Sequence, residues 1–420
     1  MSSDSSILTH PLSQFFYYAV LATIPFYYWR QMTPVIPLDW YIAIILGFIM
    51  VVFLMTERQL PRFYANNLNR WLLIFMFVNI MSSLFSPYPE AAADGLIVLV
   101  QVYLFIFINL AFLTKKGLLD RLPYLLAICV GLNGLIAGGE YFFGISLFEE
   151  SRLGKSVGVT LGANNASLMS LFVLPLIVHK FLRAKGPGEF FFCLFLIFAN
   201  ISGLVSSESR GGFLIFFIMS VMIIFINRSR FQPRFFGLAI SFIGLMMLAV
   251  TFAVPDSYYK RQKSLLAVNQ DASLRRRTAY IGVGIDSFYE HPLLGTGTFT
   301  FPQVWLDSRA TLFFKLEDRG AHNTYLDALV GVGFIGLMVF LGLLARVFRD
   351  FISAMRNFEL VKDFEMHEMA NAYFVSFLTL LVYCFIKTLV DHKFFILILA
   401  ISQVLYLLSE KQKDRLYGQP

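Results

Sequence analysis

Apolar runs of membrane-spanning length alternate with short polar breaks along almost the whole chain. The runs reach about 17 to 25 residues, enough for a helix to cross the hydrocarbon of a bilayer. Only helices and closed barrels satisfy their backbone polar groups in lipid, and the residue-by-residue alternation of barrel strands is missing from these runs. With 57% hydrophobic and 15% charged residues, the composition excludes an ordinary soluble domain. The sequence therefore predicts an all-α polytopic membrane protein.

About twelve such runs can be counted, and the basic residues predict their orientation. Nineteen Lys and Arg residues fall in one set of short loops and the C-terminal tail, whereas six fall in the opposite short loops. Because short cytoplasmic loops are rich in Lys and Arg, both termini are expected in the cytoplasm. The chain then divides into nine transmembrane helices over 1–254, one large outward-facing loop over 255–322, and three transmembrane helices with a short cytoplasmic tail over 323–420.

Charge and cysteine content restrict the partners that the chain can have. The net charge of +7 is accounted for largely by the cytoplasmic loops, so we expect the lipid bilayer, and no nucleic acid, around this protein. All three cysteines lie inside apolar runs, and no His, Cys and carboxylate cluster has metal-ligand spacing. We predict neither a bound metal nor a cofactor.

The outward loop contains an amphipathic segment, Ser273 to Glu290. Drawn as a helix, it carries one apolar stripe, expected to pack against the bundle, that consists of Leu274, Ile281, Ile285 and Phe288. Arg277 falls within this stripe, whereas Arg275 and Arg276 fall outside it. A guanidinium on a packed face needs a partner or a ligand, which makes Arg277 a candidate substrate-binding residue. An interfacial helix that meets anionic lipid explains Arg275 and Arg276 well.

A second basic candidate lies in the sequence SSESRGG, just before an apolar run. Ser207 or Ser209 is placed to cap the helix that follows, so that its free N–H groups and Arg210 together would form an anion-binding corner. The alternative is an arginine that only extends to the membrane surface from a helix end.

Polar residues also open two further spans on the outward side. His322 and Asn323 precede the tenth span, where a neutral imidazole near arginines suits a general base. The alternative is that His322 caps its helix. Asn164 and Asn165 open the sixth span and are candidates either for substrate binding or for capping. Asn323 is likewise a candidate substrate-binding residue.

The order and spacing of three motifs resemble the O-antigen ligase and polymerase superfamily. These are SRGG at a helix start, an arginine fourteen residues before HPLLGTG, and HNTYL at the start of an apolar run. The family pattern usually has Trp four residues after that arginine, where this chain has Ile281, and often has Glu where this chain has Gly331. The resemblance covers about the latter 60% of the chain through these motifs.

The resemblance implies a C-type glycosyltransferase-like fold and a metal-independent enzyme of the bacterial inner membrane with its active site facing the periplasm. The implied donor is an undecaprenyl diphosphate-linked glycan, with Arg210 and Arg277 on the diphosphate and His322 activating the acceptor hydroxyl. The single large loop favours an O-antigen ligase with the lipid A-core as acceptor. An O-antigen or exopolysaccharide polymerase is the near alternative, and a lipid-linked glycan flippase or other transporter is the more distant one.

Overall fold

The structure is a computed structural model that describes most of the chain. The described residues are 8, 10–26, 44–45, 47–49, 52, 67–114, 116–144, 156–157, 160–226, 272–314 and 320–418. Most of the predicted span near 36–56, all of the span near 235–254 and the part of the outward loop before residue 272 lie outside these ranges.

The chain divides into two units. The first comprises Met1–Ala19, Ile42–Asp120 and Asp271–Pro420. Its helices are α1 (Pro11–Thr23), which ends beyond the unit boundary, α2 (Asn67–Leu84), α3 (Pro89–Leu113), α8 (Ala272–Glu290), α9 (Phe301–Asp307), a 3-10 turn (Arg309–Leu312), α10 (Thr324–Leu360), α11 (Phe364–Tyr383) and α12 (Lys393–Tyr417). Within this unit α10 is central, because it packs against α2, α8, α11 and α12.

The second unit comprises Val20–Tyr41 and Arg121–Gln270. Its helices are α4 (Lys116–Phe143), which begins before the unit boundary, α5 (Ala163–Leu182), α6 (Pro187–Ser206) and α7 (Arg210–Ile226). Two short strands, β1 (Ser156–Val157) and β2 (Thr160–Leu161), form an antiparallel pair ahead of α5. Helix α5 packs against both α6 and α7 and forms the centre of this unit.

Six of the described helices are long and apolar enough to cross a membrane, namely α3, α4 from Gly117, α5, α6, α10 and α12. The prediction of a helical membrane protein is therefore confirmed. Helix α7 is apolar but has only 17 residues. The count of twelve spans and the orientation of the loops stay predictions.

Helix α10 is broken near its N-terminal end. Gly333 has φ 64° and ψ −168°, which interrupts the helical backbone after Val332. The short piece before the break begins at Thr324, and the piece after it, up to Leu360, is long enough to cross a bilayer by itself. A break in a membrane helix leaves backbone N–H and C=O groups that need new partners.

The HPLLGTG loop supplies those partners. The N–H groups of Thr296 and Gly297 donate to the carbonyls of Val330 and Gly331, at 2.9 and 2.8 Å. In return, the Phe334 N–H donates to the Pro292 carbonyl at 2.9 Å. The loop thus completes the backbone hydrogen bonding of α10.

Side chains of α2 and of the segment just after it bind both this loop and the break in α10. The Ser82 hydroxyl donates to the Gly331 carbonyl at 2.7 Å, and the Thr298 hydroxyl donates to the Asn79 side-chain oxygen at 2.9 Å. The Ser86 hydroxyl also donates to the Thr296 carbonyl. The loop is thus fixed between α2 and α10 by hydrogen bonds that are mostly buried.

Candidate functional site

His322 lies immediately before the short N-terminal piece of α10, the piece ahead of the break at Gly333. Its backbone has φ 50°, a left-handed conformation that is uncommon for a residue with a side chain. The side-chain oxygen of the next residue, Asn323, accepts from the N–H groups of Tyr325 and Leu326 at 3.0 and 3.1 Å. Asn323 therefore caps α10, and the alternative that His322 is the cap is wrong. Strained backbone held by its surroundings is common at functional sites.

An aromatic cluster lies beside the His322 ring. Tyr280 of α8 is 2% exposed, and its ring centre is 5.9 Å from that of His322. Trp305 and Phe301 of α9 contact Tyr280 edge to face, with ring centres at 4.6 and 6.0 Å. Because these rings are packed on several sides, they fix α8 against α9 and hold the imidazole beside both helices.

Arg277 lies one helical turn before Tyr280 on α8, so this helix carries Arg277 towards the end of the unit where His322 lies. The Arg277 side chain is half-buried, as is that of Arg276, whereas Arg275 is exposed. The expected contact face of α8 is wrong, however. Ile281 and Ile285 are exposed, and the buried face is formed instead by Tyr280, Gly284 and Ser287.

The physical reason for this difference is the packing of α8 on the short N-terminal piece of α10. Gly284 of α8 approaches the side chains of Leu326 and Val330 closely. A small residue allows that approach, while the bulky Ile281 and Ile285 occupy a neighbouring face. Arg277 consequently lies between the buried face and the exposed side of α8 that carries Ile281 and Ile285.

Thr324 connects the His322 end of α10 to the loop between α11 and α12. Its N–H donates to the Cys384 carbonyl at 2.7 Å. Its hydroxyl donates to the Lys387 carbonyl at 2.7 Å and accepts from the Leu389 N–H at 3.0 Å. The side chain is fully buried. Thr324 therefore fixes the start of α10, two residues after His322.

We expect Thr324→Val to lower the free energy of unfolding by about 1–3 kcal/mol, because it leaves a buried carbonyl and a buried N–H without their partner. The change should be measured as a shift of the unfolding midpoint of the purified protein in mixed micelles. Thr324→Ser keeps the hydroxyl and serves as the matched control. Equal midpoints for the Val and Ser variants would contradict the role given to this hydroxyl.

The loop after α11 brings further titratable groups to the same end of the unit. Burial lowers the pKa of the Lys387 ammonium to about 8, although nearby Asp391 opposes this shift. Burial, together with Lys387 and Lys393, holds the pKa of His392 well below its usual value. The His392 ring accepts from the Phe394 N–H at 3.3 Å through Nδ1, so the neutral ring carries its proton on Nε2. His392 is thus a neutral imidazole that caps α12.

The second unit contains the Arg210 corner. The Ser209 side-chain oxygen accepts from the Gly212 N–H at 3.1 Å, which confirms Ser209 as the cap of α7. Its hydroxyl donates to the Asn164 side-chain oxygen at 2.9 Å. Arg210 is the first residue of α7. The structure therefore brings Asn164 and Arg210 together, at the hydrogen-bonded starts of α5 and α7.

The neighbours of this corner are two asparagines of α5 and a glutamate ahead of α7. Asn164 and Asn165 lie inside the first turn of α5, and Gly162 occupies the cap position, so capping does not explain either asparagine. Glu208, which precedes the cap of α7, has φ 48° and accepts from the Tyr141 hydroxyl at 3.2 Å. Like His322, Glu208 is a polar residue held in a left-handed conformation beside a helix start.

Residues 193–341 match the protein family described as O-antigen ligase. This region belongs to the O-antigen ligase and polymerase superfamily. The matched region contains the SRGG, HPLLGTG and HNTYL motifs, so the expectation from the sequence is confirmed. A search among curated proteins gave no match to the chain.

The O-antigen ligase region includes Arg210, Arg277, His322 and Asn323, whereas Asn164 and Asn165 precede it. Membership of this superfamily, together with the six apolar helices, supports a multi-pass membrane glycosyltransferase of the ligase or polymerase type, with lipid-linked glycan substrates. Across the described ranges, no three His, Cys, Asp or Glu side chains are gathered as they would be around a metal ion.

Several residues of the O-antigen ligase region were missed in the sequence. Tyr280 and Trp305 adjoin His322 or its aromatic neighbour, and Thr324 fixes the start of α10. The aromatic residues on both sides of HPLLGTG were a usable signal for the cluster. No comparable signal marks Thr324, because its three partners are two backbone carbonyls and one backbone N–H that lie about sixty residues away in sequence.

Proposed function

We propose that this protein is an O-antigen ligase that transfers a glycan from undecaprenyl diphosphate to the lipid A-core oligosaccharide, at the periplasmic face of the inner membrane. One observation carries the proposal. The backbone of His322 is held in a left-handed conformation, and its ring lies against the ring of Tyr280, which is on the same helix as Arg277. The O-antigen ligase family supports the reaction class.

In the proposed reaction, a nitrogen of the His322 imidazole accepts the proton of an acceptor hydroxyl. The oxygen of that hydroxyl bonds to the anomeric carbon of the donor sugar, while the bond from this carbon to the diphosphate oxygen breaks. The diphosphate leaves with the electron pair. Because attack and departure occur on opposite sides of the anomeric carbon, the product has inverted configuration.

Charge develops on the leaving diphosphate, and we assign its stabilisation to Arg210 and Arg277. A guanidinium donates two parallel hydrogen bonds to a phosphate and keeps its charge at any physiological pH. Such fixed donors stabilise the transition state more than the ground state. In this proposal, the two arginines carry out the charge stabilisation without a metal ion, so transfer should continue in the presence of a chelator.

Asparagine side chains complete the proposed site in secondary roles. The Asn164 oxygen is engaged by Ser209, so we assign Asn164 to positioning the start of α7. The Asn323 oxygen is engaged by two N–H groups of α10, which leaves its amide group as the donor to substrate. Asn165, at the same helix start as Asn164, is assigned to substrate hydroxyls.

A gene deletion tests the ligase assignment. We expect lipopolysaccharide without O-antigen, with long glycan chains remaining on the lipid carrier. A single repeat attached to the core would indicate a polymerase instead, and carrier-linked glycan retained on the cytoplasmic side would indicate a flippase. Either result would overturn the ligase assignment.

For the diphosphate site, we expect Arg277→Ala to lower the transfer rate by about 10²–10³-fold, the loss typical of removing one donor to a developing negative charge. The rate should be measured with purified full-length enzyme and saturating acceptor. Arg275→Ala removes the same charge from an exposed position on the same helix and should stay near the wild-type rate. Equal losses in both variants would indicate a general electrostatic effect of α8 and contradict the assignment to Arg277.

A further inference from the structure

The apolar stripe of α8 is exposed at Ile281 and Ile285, whereas Phe288 is half-buried. Ile281 and Ile285 are 47% and 42% exposed, and Tyr289, two turns after Ile281, is 77% exposed. The opposite face packs on α9 and α10 through Tyr280 and Gly284. An exposed row of large apolar side chains on a well-packed helix indicates a contact with something outside the unit.

This apolar surface continues beyond the end of α8. Leu293, in the HPLLGTG loop, is 62% exposed, and its carbonyl accepts from the Ile335 N–H of α10 at 3.3 Å. On α10, Phe334 and Met338 are 52% and 50% exposed and follow one another by one turn. The exposed apolar face of α8 is therefore joined, at Leu293, to the exposed apolar face of a candidate membrane span.

We infer that α8 lies in the interfacial layer of the bilayer, in the leaflet on the His322 side, with Ile281, Ile285 and Tyr289 towards the acyl chains. The exposed face of a membrane-spanning helix is in contact with lipid, and the surface that continues from it through Leu293 has the same chemistry. Withdrawing such side chains from water is favourable by about 25 cal/mol per Å² of apolar area.

The polar residues of α8 fit this placement. Asp286 follows Ile285 by 100° around the helix axis, and both Asp286 and Arg275 are exposed. Interfacial helices have this division, with an apolar face among the acyl chains and charged residues towards headgroups and water. The Tyr289 ring also suits the interface, since it has an apolar body and a polar hydroxyl. The inference holds whether or not the protein is a ligase.

A nitroxide attached at single cysteines tests the inference with the full chain in phosphatidylethanolamine and phosphatidylglycerol vesicles. Ile285→Cys reports on the apolar face, and Asp286→Cys is the matched control on the same helix. The three native cysteines are buried, and wild-type protein treated with the same label gives the background. Collision rates are measured with molecular oxygen, which concentrates in lipid, and with a nickel chelate, which stays in water.

We expect oxygen to collide more often than the chelate with the label at Ile285→Cys, and the order to reverse at Asp286→Cys. Ile281→Cys and Glu290→Cys, which lie on opposite sides of α8 and are both exposed, form a second pair with the same expectation, should one variant of the first pair fail to fold. Equal access of the chelate at Ile285→Cys and Asp286→Cys would place the stripe in water. Shielding of the Ile285→Cys label from both reagents would show that protein covers it. Either result would overturn the inference.

Discussion

Replacing His322 by alanine is expected to lower kcat for glycan transfer by about 10²–10⁴-fold, the usual contribution of a general base. The proton of the acceptor hydroxyl would have no acceptor other than water, while the arginines would still bind the donor. The KM for the donor should therefore change much less than kcat. Initial rates with purified full-length protein, at several concentrations of the lipid-linked donor, measure both constants.

His291→Ala is the matched control for this experiment. His291 belongs to the same unit and is exposed at the start of the HPLLGTG loop, so its loss should leave kcat within about twofold of the wild type, as for most surface substitutions. His322→Ala that folds normally and keeps full activity at neutral pH would contradict the general-base assignment. A similar fall of kcat in both variants would point to a structural effect.

The largest effect on stability is expected for Gly333→Ala. Gly333 has φ 64° and ψ −168°, a combination that is essentially confined to glycine, and it costs a residue with a side chain about 1–3 kcal/mol. In addition, a Cβ at this position would overlap the Leu293 carbonyl, which belongs to the loop that completes the hydrogen bonding of α10. We therefore expect a lower unfolding midpoint and a reduced yield of folded protein. Thermal unfolding of the detergent-solubilised protein provides the measurement.

Gly282→Ala is the control, because it makes the same substitution at a glycine that lies inside a helix. Gly282 lies inside α8, and a Cβ there would have no neighbour within 4 Å. Alanine is favoured over glycine inside a helix by about 0.5–1 kcal/mol, so this variant should be as stable as the wild type or more stable. If Gly333→Ala were to unfold at the same temperature as Gly282→Ala, the break in α10 would not be essential to the fold.

Much of the architecture could be predicted from the sequence, because the bilayer imposes it. The lengths of the apolar runs predict membrane helices, and the serines before Arg210 predict a helix cap by Ser207 or Ser209, which Ser209 provides. The break at Gly333 could not be predicted in this way. Its partners are backbone groups of a loop about forty residues earlier in the sequence, and backbone hydrogen bonds have no side-chain pattern beyond the glycines that permit close approach.

The error concerning α8 has a different physical origin. Periodicity correctly identified an apolar stripe that includes Ile281 and Ile285, but not the surroundings that it faces. In a soluble protein, an apolar stripe faces the interior. In a membrane, lipid is as apolar as a protein core, so the same stripe can face either the lipid or the neighbouring helices. The face that packs is marked instead by the small residue Gly284 between Tyr280 and Ser287.

The break in α10 has a mechanical consequence for His322. A continuous helix behaves as a rod and would transmit a tilt of the span directly to the residue before its first turn. Here the rod is interrupted at Gly333, and the N-terminal piece is hydrogen-bonded from the side by Thr324 and by the HPLLGTG loop. A change in the tilt of the span would therefore reach the imidazole through this loop and Thr324, not along one continuous helix axis.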